Sequence, residues 1–406
     1  MYNRQNSNSV RILIYSQDGF GLGHLRRNLN ISLQLKRQSR EASILIVADS
    51  PVAPFFKLPP KCDFIKLPTI VKVDTGVWRP NRLPMNYKDL LFIRSEIIQN
   101  VALSFKPHVF LVDHMPHGAL GELDWPLKVL KRNYPDTKVC LGLRDILGGQ
   151  DVIHKMWSTE GAFAAAEEFY DKICVYGCED VFDLVREYDF PEALVKKASY
   201  CGYVARDVNA GKKKGDSPFL KRLTREEDGK LILVTGGGGA DASYFMDKFI
   251  DAVKILKDSM NFKAVVSTGP FMQKEQVRLL QKKAAGLPIF VRRIGQDSIK
   301  YLRRADLVVA MAGYNTTSEI MRFQKNAIIV PRPGPSAEQT MRTSILTERG
   351  VIHSIHPKDL TAESFAAMVA ERLEKGNTMN IDRLPDMDGS SNVASLLLSA
   401  LDSENA

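Results

Sequence analysis

Short runs of apolar, β-branched residues alternate with longer amphipathic stretches along most of the chain. Because these runs are apolar throughout, they predict strands buried on both faces of parallel sheets. The predicted strands of the first half are 11–16, 43–49, 109–114, 138–145 and 172–177. Those of the second half are 230–237, 263–269, 306–313 and 327–333. Their alternation with helix-length segments indicates βαβ units and an α/β fold.

A polar, basic stretch interrupts this pattern in the middle of the chain. We therefore predict a Rossmann-like domain over 1–205, a linker or basic loop over 206–229 and a second Rossmann-like domain over 230–380. Residues 381–406 include a segment with helical spacing, which we expect to pack back towards the first domain. A chain of 406 residues is long enough for two domains.

The composition is that of a globular protein, with 44% hydrophobic and 25% charged residues. No run reaches the length of a membrane span, and the polar N-terminus lacks the apolar core of a signal peptide. Five cysteines without paired zinc spacing indicate reduced thiols and a cytoplasmic location. The net charge of +9 permits anionic partners. Basic residues are not interleaved with stacking aromatic residues, so nucleic acid is disfavoured as a partner.

The first predicted strand runs into the glycine-rich turn DGFGLGH, which holds Gly19, Gly21, Gly23 and His24. A turn without Cβ atoms lets backbone amides approach a ligand, and the N-terminus of a following helix favours anions. The spacing G-x-G-x-G-H differs from the dinucleotide pattern G-x-G-x-x-G, although Asp49 is a candidate for a dinucleotide ribose. Tight packing of a strand against a helix would also explain the turn.

A second glycine turn, Gly236 to Gly239, follows the first predicted strand of the second half. Four consecutive glycines cost backbone entropy, so we expect a ligand contact rather than packing alone. The turn lacks the G-K-[ST] ending of a P-loop, which disfavours ATPase or kinase chemistry.

The segment AGYNTTSE, which begins at Ala312, predicts a strand end followed by a helix start. Thr316 and Thr317 can cap that helix, whose amides would face a ligand beyond Gly313. Glu319 lies one turn into it, where a carboxylate can accept two hydrogen bonds from a vicinal diol such as a ribose. A capping-box role is the alternative.

The loop PRPGPSAEQ delivers Glu338 and Gln339 at the start of another predicted helix. Their polar side chains suit sugar hydroxyls, although acids also favour helix N-termini for structural reasons.

Together these segments resemble the MurG-like group of glycosyltransferase family 28. The resemblance implies the GT-B fold, with two Rossmann-like doubly wound parallel-sheet domains facing a central cleft. It implies a hexosyltransferase-type enzyme (EC 2.4) that moves a sugar from a nucleotide diphosphate, expected to be UDP, to an acceptor hydroxyl. It further implies inversion at the anomeric carbon, closure of the domains, and no metal or other cofactor beyond the nucleotide-sugar co-substrate.

The resemblance also assigns site residues on both halves of the chain. It assigns the first glycine turn and His24 to the acceptor side. The donor residues are Gly236, Gly237, Gly238 and Gly239 near the diphosphate, Gly313 and Thr316 at the phosphate-facing helix, Ile294 at uracil, Glu319 at the ribose, and Glu338 and Gln339 at the sugar.

Two departures from the family pattern bear on the donor sugar. Gly237 and Gly238 stand where MurG-type sequences carry Ser-Gln, and Glu338 with Gln339 stands where they carry Gln-Gln. Because a carboxylate at the sugar changes the possible hydrogen bonds, N-acetylglucosamine is not carried over to this chain.

Aspartate and histidine are dense at the predicted strand ends of the first half, namely Asp113, His114, His117 and Asp145. The D-H-x-x-H spacing could bind a divalent metal but lacks a fixed ligand geometry, so we expect acceptor recognition or acid–base assistance instead, with a structural role for at least one of these residues. Histidine accepts protons near neutral pH, which makes His24 the candidate base, with Asp113 as the second candidate. A structural hydrogen bond is the alternative for His24.

Three other functions remain open from the sequence: a nucleotide-sugar hydrolase, a nucleotide-sugar 2-epimerase and a non-catalytic sugar-nucleotide-binding protein. The acceptor is a small molecule, a glycan or a lipid-linked molecule. For a lipid-linked acceptor, Arg26, Arg27, Lys36 and Arg37 could supply charge for peripheral contact with the cytoplasmic face of a membrane, although a solvated helix face explains them equally well.

Overall fold

The computed structural model describes residues 9–18, 23–74, 77–209, 215–224, 229–294, 298–334 and 337–401. The chain forms two compact units, one of residues 1–205 with 388–406 and one of residues 206–387. Each unit contains a parallel sheet with helices, so the predicted α/β class is confirmed.

The first unit contains a seven-stranded parallel sheet and a separate antiparallel hairpin. Its strands are β1 (Arg11–Ser16), β2 (Ser43–Ala48), β3 (Cys62–Lys66), β4 (Ile70–Asp74), β5 (Val77–Pro80), β6 (Val109–Asp113), β7 (Lys138–Arg144), β8 (Lys172–Tyr176) and β9 (Ala198–Tyr200). The sheet order is β3-β2-β1-β6-β7-β8-β9, and β4 pairs with β5 in the hairpin. The order reverses at β1, which places the ends of β1 and β6 at a topological switch point where ligands bind in such sheets.

Helices connect these strands and bury the apolar sheet. They are α1 (Gly23–Gln38), α2 (Tyr87–Phe105), α3 (Asp124–Asn133), α4 (Gln150–Thr159), α5 (Ala162–Phe169), α6 (Leu184–Glu187) and α7 (Glu192–Val195), with short 3-10 turns at Ala53–Phe55 and Ala119–Gly121. Ile12, Leu13 and Ile14 in β1 have no exposed surface, as expected of a central strand covered on both faces.

The second unit contains a six-stranded sheet that is parallel throughout. Its strands are β10 (Lys230–Thr235), β11 (Phe262–Ser267), β12 (Ile289–Arg292), β13 (Leu307–Ala310), β14 (Ala327–Ile329) and β15 (His353–Ser354). The order is β12-β11-β10-β13-β14-β15, so the switch point lies between β10 and β13.

The helices of the second unit begin within the predicted linker. They are α8 (Pro218–Leu223), α9 (Ser243–Leu256), α10 (Lys274–Lys283), α11 (Ser298–Arg304), α12 (Tyr314–Arg322), α13 (Glu338–Glu348) and α14 (Ala362–Lys375), with 3-10 turns at Pro357–Asp359 and Ile381–Arg383. Ser217 caps α8 by accepting a hydrogen bond from the backbone N–H of Leu220, so part of the expected linker is helical.

The C-terminal helix α15 (Gly389–Ser399) belongs to the first unit. The Gln38 amide at the end of α1 donates to the carbonyl oxygen of Ser391 at 3.0 Å. Ser390 Oγ donates to the carbonyl oxygen of Ala205 at 3.0 Å, where the first pass of the chain through this unit ends. The described residues contain no helix with both the length and the apolar character needed to cross a membrane.

Candidate functional site

Asp18 organises the start of α1 in the first unit. Its carboxylate accepts hydrogen bonds from the backbone N–H groups of His24 at 2.9 Å and Leu25 at 2.5 Å, and from Ser16 Oγ at 3.0 Å. Burial raises the pKa of the Asp18 carboxyl to about 6, and the negative charges of Asp49 and Asp113 add to this effect. The side chain of His24 is thereby held at the first turn of the helix, which begins at Gly23. Gly19 and Gly21 lie outside the described residues.

Asp113 lies at the end of β6 and has no exposed surface. Arg27 Nη2 donates to its Oδ1 at 2.7 Å and to its Oδ2 at 2.8 Å, and the Asn28 amide donates to Oδ2 at 3.2 Å. Burial alone would raise the pKa of this carboxyl, but the Arg27 guanidinium and the His24 imidazole outweigh it and lower the pKa to about 2. Asp113 is therefore an ionised, inaccessible carboxylate.

His24 and Asp113 are brought together by this arrangement. His24 Nδ1 lies 3.0 Å from Asp113 Oδ2 and 2.9 Å from Arg27 Nη2, and the His24 side chain keeps about 20% of its surface exposed. Because Arg27 Nη2 already donates to both carboxylate oxygens, we assign the Nδ1 proton to the hydrogen bond with Asp113. The lone pair is then on Nε2, as a general base requires.

His114 is the second imidazole at this position. Its ring centroid lies 5.3 Å from that of His24, and its backbone has φ +88°, a conformation that side chains other than glycine rarely adopt. Burial, with the nearby Arg144 cation, lowers the pKa of His114 well below its ordinary value. Its Nδ1 is buried without a hydrogen-bond partner among the described residues. His114 is thus a neutral, polar and strained neighbour of His24.

The other two acceptor-side candidates are occupied elsewhere. His117 Nδ1 lies 2.5 Å from Asp124 Oδ1, and this hydrogen bond raises the pKa of His117. The buried Asp145 carboxylate accepts from the backbone N–H of Ile146 at 2.8 Å and from Tyr203 Oη at 3.1 Å. In the described part of the chain, no three His, Cys, Asp or Glu side chains group so as to hold a metal ion.

A buried ionic network that the sequence reading did not predict lies beside these residues. The Arg94 guanidinium of α2 binds Glu122 through Nε at 2.5 Å and Nη2 at 2.6 Å, and its Nη1 lies 3.5 Å from Asp49 Oδ2. Tyr15 Oη donates to Glu122 Oε1 at 2.5 Å, and the backbone N–H of Asp18 donates to Asp49 Oδ1. Asp49 is therefore a structural carboxylate that holds the backbone of Asp18. The signal in the sequence is that Arg94 follows the four-residue spacing of Leu90, Ile98 and Ala102, which form the buried face of α2.

Backbone conformation and packing account for three of the four glycines of the second turn, and the expected ligand contact stays a prediction. Gly237 and Gly239 have φ of +64° and +87°. A Cβ at Gly239 would overlap the carbonyl oxygen of Thr268, and one at Gly236 would overlap the Ala242 side chain. A Cβ at Gly237 would lie 3.5 Å from Thr316 Oγ1, so the turn meets the start of α12.

The start of α12 is open. Gly313 is its N-cap, no side chain caps it, and a Cβ at Gly313 would meet nothing within 4 Å. The expectation that Thr316 and Thr317 cap this helix is wrong, because Thr317 Oγ1 donates back to the carbonyl oxygen of Gly313 at 3.1 Å. A helix start that faces open space beside a glycine turn is suited to an anion.

Glu319 is buried one turn into α12, with 8% of its surface exposed. Its Oε1 accepts a hydrogen bond from Arg206 Nε at 2.5 Å, and Arg206 Nη2 lies 3.5 Å from Ser298 Oγ. The carboxylate predicted for a ribose thus forms an ion pair with an arginine from the predicted linker.

The predicted sugar residues lie at the first turn of α13. Glu338 Oε1 accepts from Arg342 Nη1 at 2.9 Å, and Gln339 Oε1 accepts from the backbone N–H of Arg332 at 3.0 Å. Ile294 lines a cavity of about 830 Å³ along β12, and the residues that follow it, 295–297, lie outside the described part.

The first sheet brings His24 and Asp113 together at its switch point. The second has a glycine turn at its own switch point, beside an open helix start with a buried carboxylate behind it. These features define a two-unit α/β protein of the GT-B class. Residues 231–392 match the family model of the glycosyltransferase family 28 C-terminal domain. The match begins at β10 of the second unit and ends within α15, and the resemblance of the chain to MurG-like glycosyltransferases is confirmed.

The chain is also similar to curated relatives and, in fold, to solved structures. The chain is 26% identical over 259 residues to the UDP-N-acetylglucosamine–N-acetylmuramyl-(pentapeptide) pyrophosphoryl-undecaprenol N-acetylglucosamine transferase of Polaromonas naphthalenivorans, an alignment that covers 61% of the chain and 66% of that relative. The structure of Acinetobacter baumannii MurG matches with TM-score 0.59 and 15% identity over 96% of the chain and 99% of MurG.

A putative UDP-N-acetylglucosamine 2-epimerase from Listeria monocytogenes matches with TM-score 0.63 and 13% identity over 98% of the chain and 96% of the epimerase. At such identities the likeness shows the fold alone. The alignments span between 36% and 66% of the length of the curated relatives.

Proposed function

We propose that this protein is a hexosyltransferase-type glycosyltransferase. It takes a sugar from a nucleotide diphosphate, UDP in the first instance, and transfers it to the hydroxyl of an acceptor. The observation that carries this proposal is the match of residues 231–392 to the family 28 C-terminal domain, a region in which the predicted donor residues lie at one end of the parallel sheet. The names of the curated relatives, which state a UDP-linked donor for those proteins, support the choice of UDP.

The second unit binds the donor in this proposal. The diphosphate lies at the start of α12 beyond Gly313, where helix amides and the adjoining turn at Gly237 offset its charge as it leaves. Glu319 accepts hydrogen bonds from the ribose diol, with Arg206 holding its carboxylate in place. No metal ion is required by this arrangement, because the helix start supplies the positive potential.

The first unit binds the acceptor. His24 Nε2 takes the proton of the acceptor hydroxyl as the oxygen forms a bond to the anomeric carbon. The bond from that carbon to the phosphate oxygen breaks at the same time, and the diphosphate leaves with the electron pair. Displacement of this kind inverts the anomeric carbon. Asp113 stabilises the imidazolium that forms, because its carboxylate is ionised and 3.0 Å from Nδ1.

A cytoplasmic location with peripheral membrane contact is part of the proposal. Two of the four basic residues named from the sequence do not serve it well, because Arg27 is buried against Asp113 and Lys36 Nζ donates to the carbonyl oxygen of Ala42 at 2.6 Å. Phe55 and Phe92 are 76% and 68% exposed on the same unit and supply apolar contact instead. Phe92→Ser should lower cosedimentation with anionic vesicles, and an unchanged bound fraction would contradict this part.

The donor site is tested by thermal unfolding with UDP, GDP, dTDP, CMP, NAD and ATP. A ligand at about 100 times its Kd adds about 2.7 kcal/mol of stability, which moves the melting temperature measurably. We expect a shift with UDP that disappears in Glu319→Ala and persists in Glu374→Ala, a matched change at an exposed position of α14. No shift with any nucleoside diphosphate would overturn the donor site.

Product analysis with UDP-sugars then separates the related reactions. Transfer to added acceptor supports the proposal, release of free sugar indicates a hydrolase, and an isomerised donor indicates an epimerase, the activity named for one structural neighbour. Binding without turnover indicates a sugar-nucleotide-binding protein, in which His24→Ala would change nothing.

A further inference from the structure

Arg342 is a buried cation in α13, with 1% of its surface exposed. A guanidinium removed from water needs hydrogen-bond acceptors and an opposite charge close by. Its Nη1 donates to the carbonyl oxygen of Ala312 at 2.8 Å and to Glu338 Oε1 at 2.9 Å. The guanidinium carbon also lies 5.7 Å from the centroid of the Tyr314 ring.

These contacts join the starts of two helices. Ala312 directly precedes Gly313, the N-cap of α12, and Glu338 is the first residue of α13. The position of Arg342 therefore fixes the start of α13, where the sugar is expected, relative to the start of α12, where the diphosphate is proposed to bind. A displacement of about 1 Å between groups that bind one ligand is enough to cost much of its productive binding.

The Arg342–Glu338 ion pair also determines which hydrogen bonds Glu338 can form with a ligand. An ionised carboxylate only accepts hydrogen bonds, whereas a glutamine amide at this position would also donate. Glu338 keeps about 12% of its side-chain surface exposed, but Arg342 keeps only 1%, so a ligand reaches the carboxylate and not the cation. Sugar hydroxyls can donate to such a group, and a sugar carboxylate would meet an acceptor of like charge.

We propose that Arg342 is a positioning residue that, through its ion pair, holds the Glu338 carboxylate where it accepts hydrogen bonds from sugar hydroxyls, and that this carboxylate makes the donor site reject hexuronic acids. This inference rests on the proposed function, because it concerns the donor sugar of that site.

The experiment compares the Kd values of UDP, UDP-glucose, UDP-galactose and UDP-glucuronate for the full-length protein. The variants are Arg342→Met, Glu338→Gln and the double variant, and Arg372→Met is the matched control. Arg372 is also buried in this unit, with 4% exposed, and is paired with Glu371 on α14, away from the predicted donor residues.

In the parent, the UDP-hexoses should bind at least about tenfold more tightly than UDP-glucuronate. The ratio of the Kd of UDP to the Kd of a UDP-hexose measures what the hexose adds to binding. Arg342→Met should reduce this ratio by about tenfold. Arg372→Met should leave the ratio unchanged at a comparable loss of melting temperature. Glu338→Gln should bring UDP-glucuronate to within about threefold of the hexoses. The double variant should recover melting temperature relative to Arg342→Met, since no carboxylate is left without its partner, but not the discrimination.

Equal effects of Arg342→Met and Arg372→Met would show that Arg342 acts on stability alone and would overturn the inference. An unchanged preference against UDP-glucuronate in Glu338→Gln would overturn it as well. If the parent binds none of the four ligands, the proposed function fails and the inference fails with it, whereas binding that is indifferent to Arg342 overturns only the inference.

Discussion

Arg27 Nη2 lies 2.7 Å from Asp113 Oδ1, and the two side chains keep only 3% and 0% of their surface exposed. This buried pair keeps the pKa of Asp113 at about 2, so the carboxyl is ionised at neutral pH. The carboxylate is also inaccessible and a weak base, so it does not compete with His24 for a substrate proton. The finding decides between the two candidates for the base. In the proposed reaction, His24 is the group that meets the acceptor, and Asp113 acts through it.

Asp113→Asn should lower the rate of donor turnover by about 10² to 10⁴-fold, because the amide neither stabilises the imidazolium nor holds the Nδ1 proton. His24→Ala should cost a similar factor, and the double variant should be no slower than His24→Ala, since the two residues act as one unit. The measurement is the release of nucleoside diphosphate at saturating UDP-sugar.

Asp124→Asn is the control for this experiment, because it removes the carboxylate beside His117 rather than His24. It should leave turnover within about twofold. Circular dichroism must show that Asp113→Asn is folded, since an unpaired Arg27 costs about 3 to 5 kcal/mol. An equal loss of rate in both variants would contradict the assigned dyad.

Asp18 should make the protein less stable as the pH rises from about 4 to about 6. Its pKa is raised from 3.8 to about 6 by burial, so folding favours the protonated form. Below pH 4 this preference contributes about 3 kcal/mol to the free energy of unfolding. The contribution is lost as the pH rises through 6. Urea unfolding of the parent and Asp18→Asn between pH 4 and 7 measures it.

The difference in free energy of unfolding between Asp18→Asn and the parent should change with pH in this window, in favour of the variant at the higher pH. Asp136→Asn, a change at an exposed aspartate, should show a constant difference. A constant difference in Asp18→Asn as well would show that the carboxyl titrates alike in the folded and unfolded states.

The buried Arg94 network should behave as a unit. Arg94→Met leaves Glu122 and Asp49 without their cation and should cost about 3 to 5 kcal/mol of stability. Adding Glu122→Gln should recover part of that loss, giving a coupling energy of about 1 to 3 kcal/mol in a double-mutant cycle by urea unfolding. Additive losses would show that the two side chains do not interact in solution.

The central strands were predictable because they are apolar throughout. The predicted runs 11–16 and 109–114 coincide with β1 (Arg11–Ser16) and β6 (Val109–Asp113) within a residue. The strands that were missed, such as β3 (Cys62–Lys66) and β12 (Ile289–Arg292), lie at sheet edges, where charged or half-exposed residues dilute the apolar signal.

The candidate site was predictable only where glycines or strand ends mark it. His24 and Asp113 are 89 residues apart, and only the parallel order of β1 and β6 brings them within hydrogen-bond distance. Arg206 and Arg342 were missed because an arginine in a polar segment or an amphipathic helix is most often solvated. Their partners, Glu319 and Glu338, were identified by residue type and position alone.

Gly313→Ala should separate ligand binding from stability. Gly313 has φ −65°, which alanine adopts freely, and a Cβ there meets nothing within 4 Å, so the free energy of unfolding should change by no more than about 1 kcal/mol. The added methyl group nevertheless enters the space in front of α12, where the diphosphate is proposed to bind. The Kd for UDP should therefore rise by about tenfold or more, as measured by isothermal titration.

Gly239→Ala should show the opposite pattern, because φ of +87° and overlap with the Thr268 carbonyl oxygen require the turn to rearrange. We expect a loss of about 2 to 4 kcal/mol, against about 1 kcal/mol for Gly286→Ala, which has φ +78° but open space around it. If Gly313→Ala bound UDP as tightly as the parent, the space before α12 would not hold the diphosphate. The donor would then have to bind at another position along the carboxyl ends of the strands, although the match to the family model would still hold.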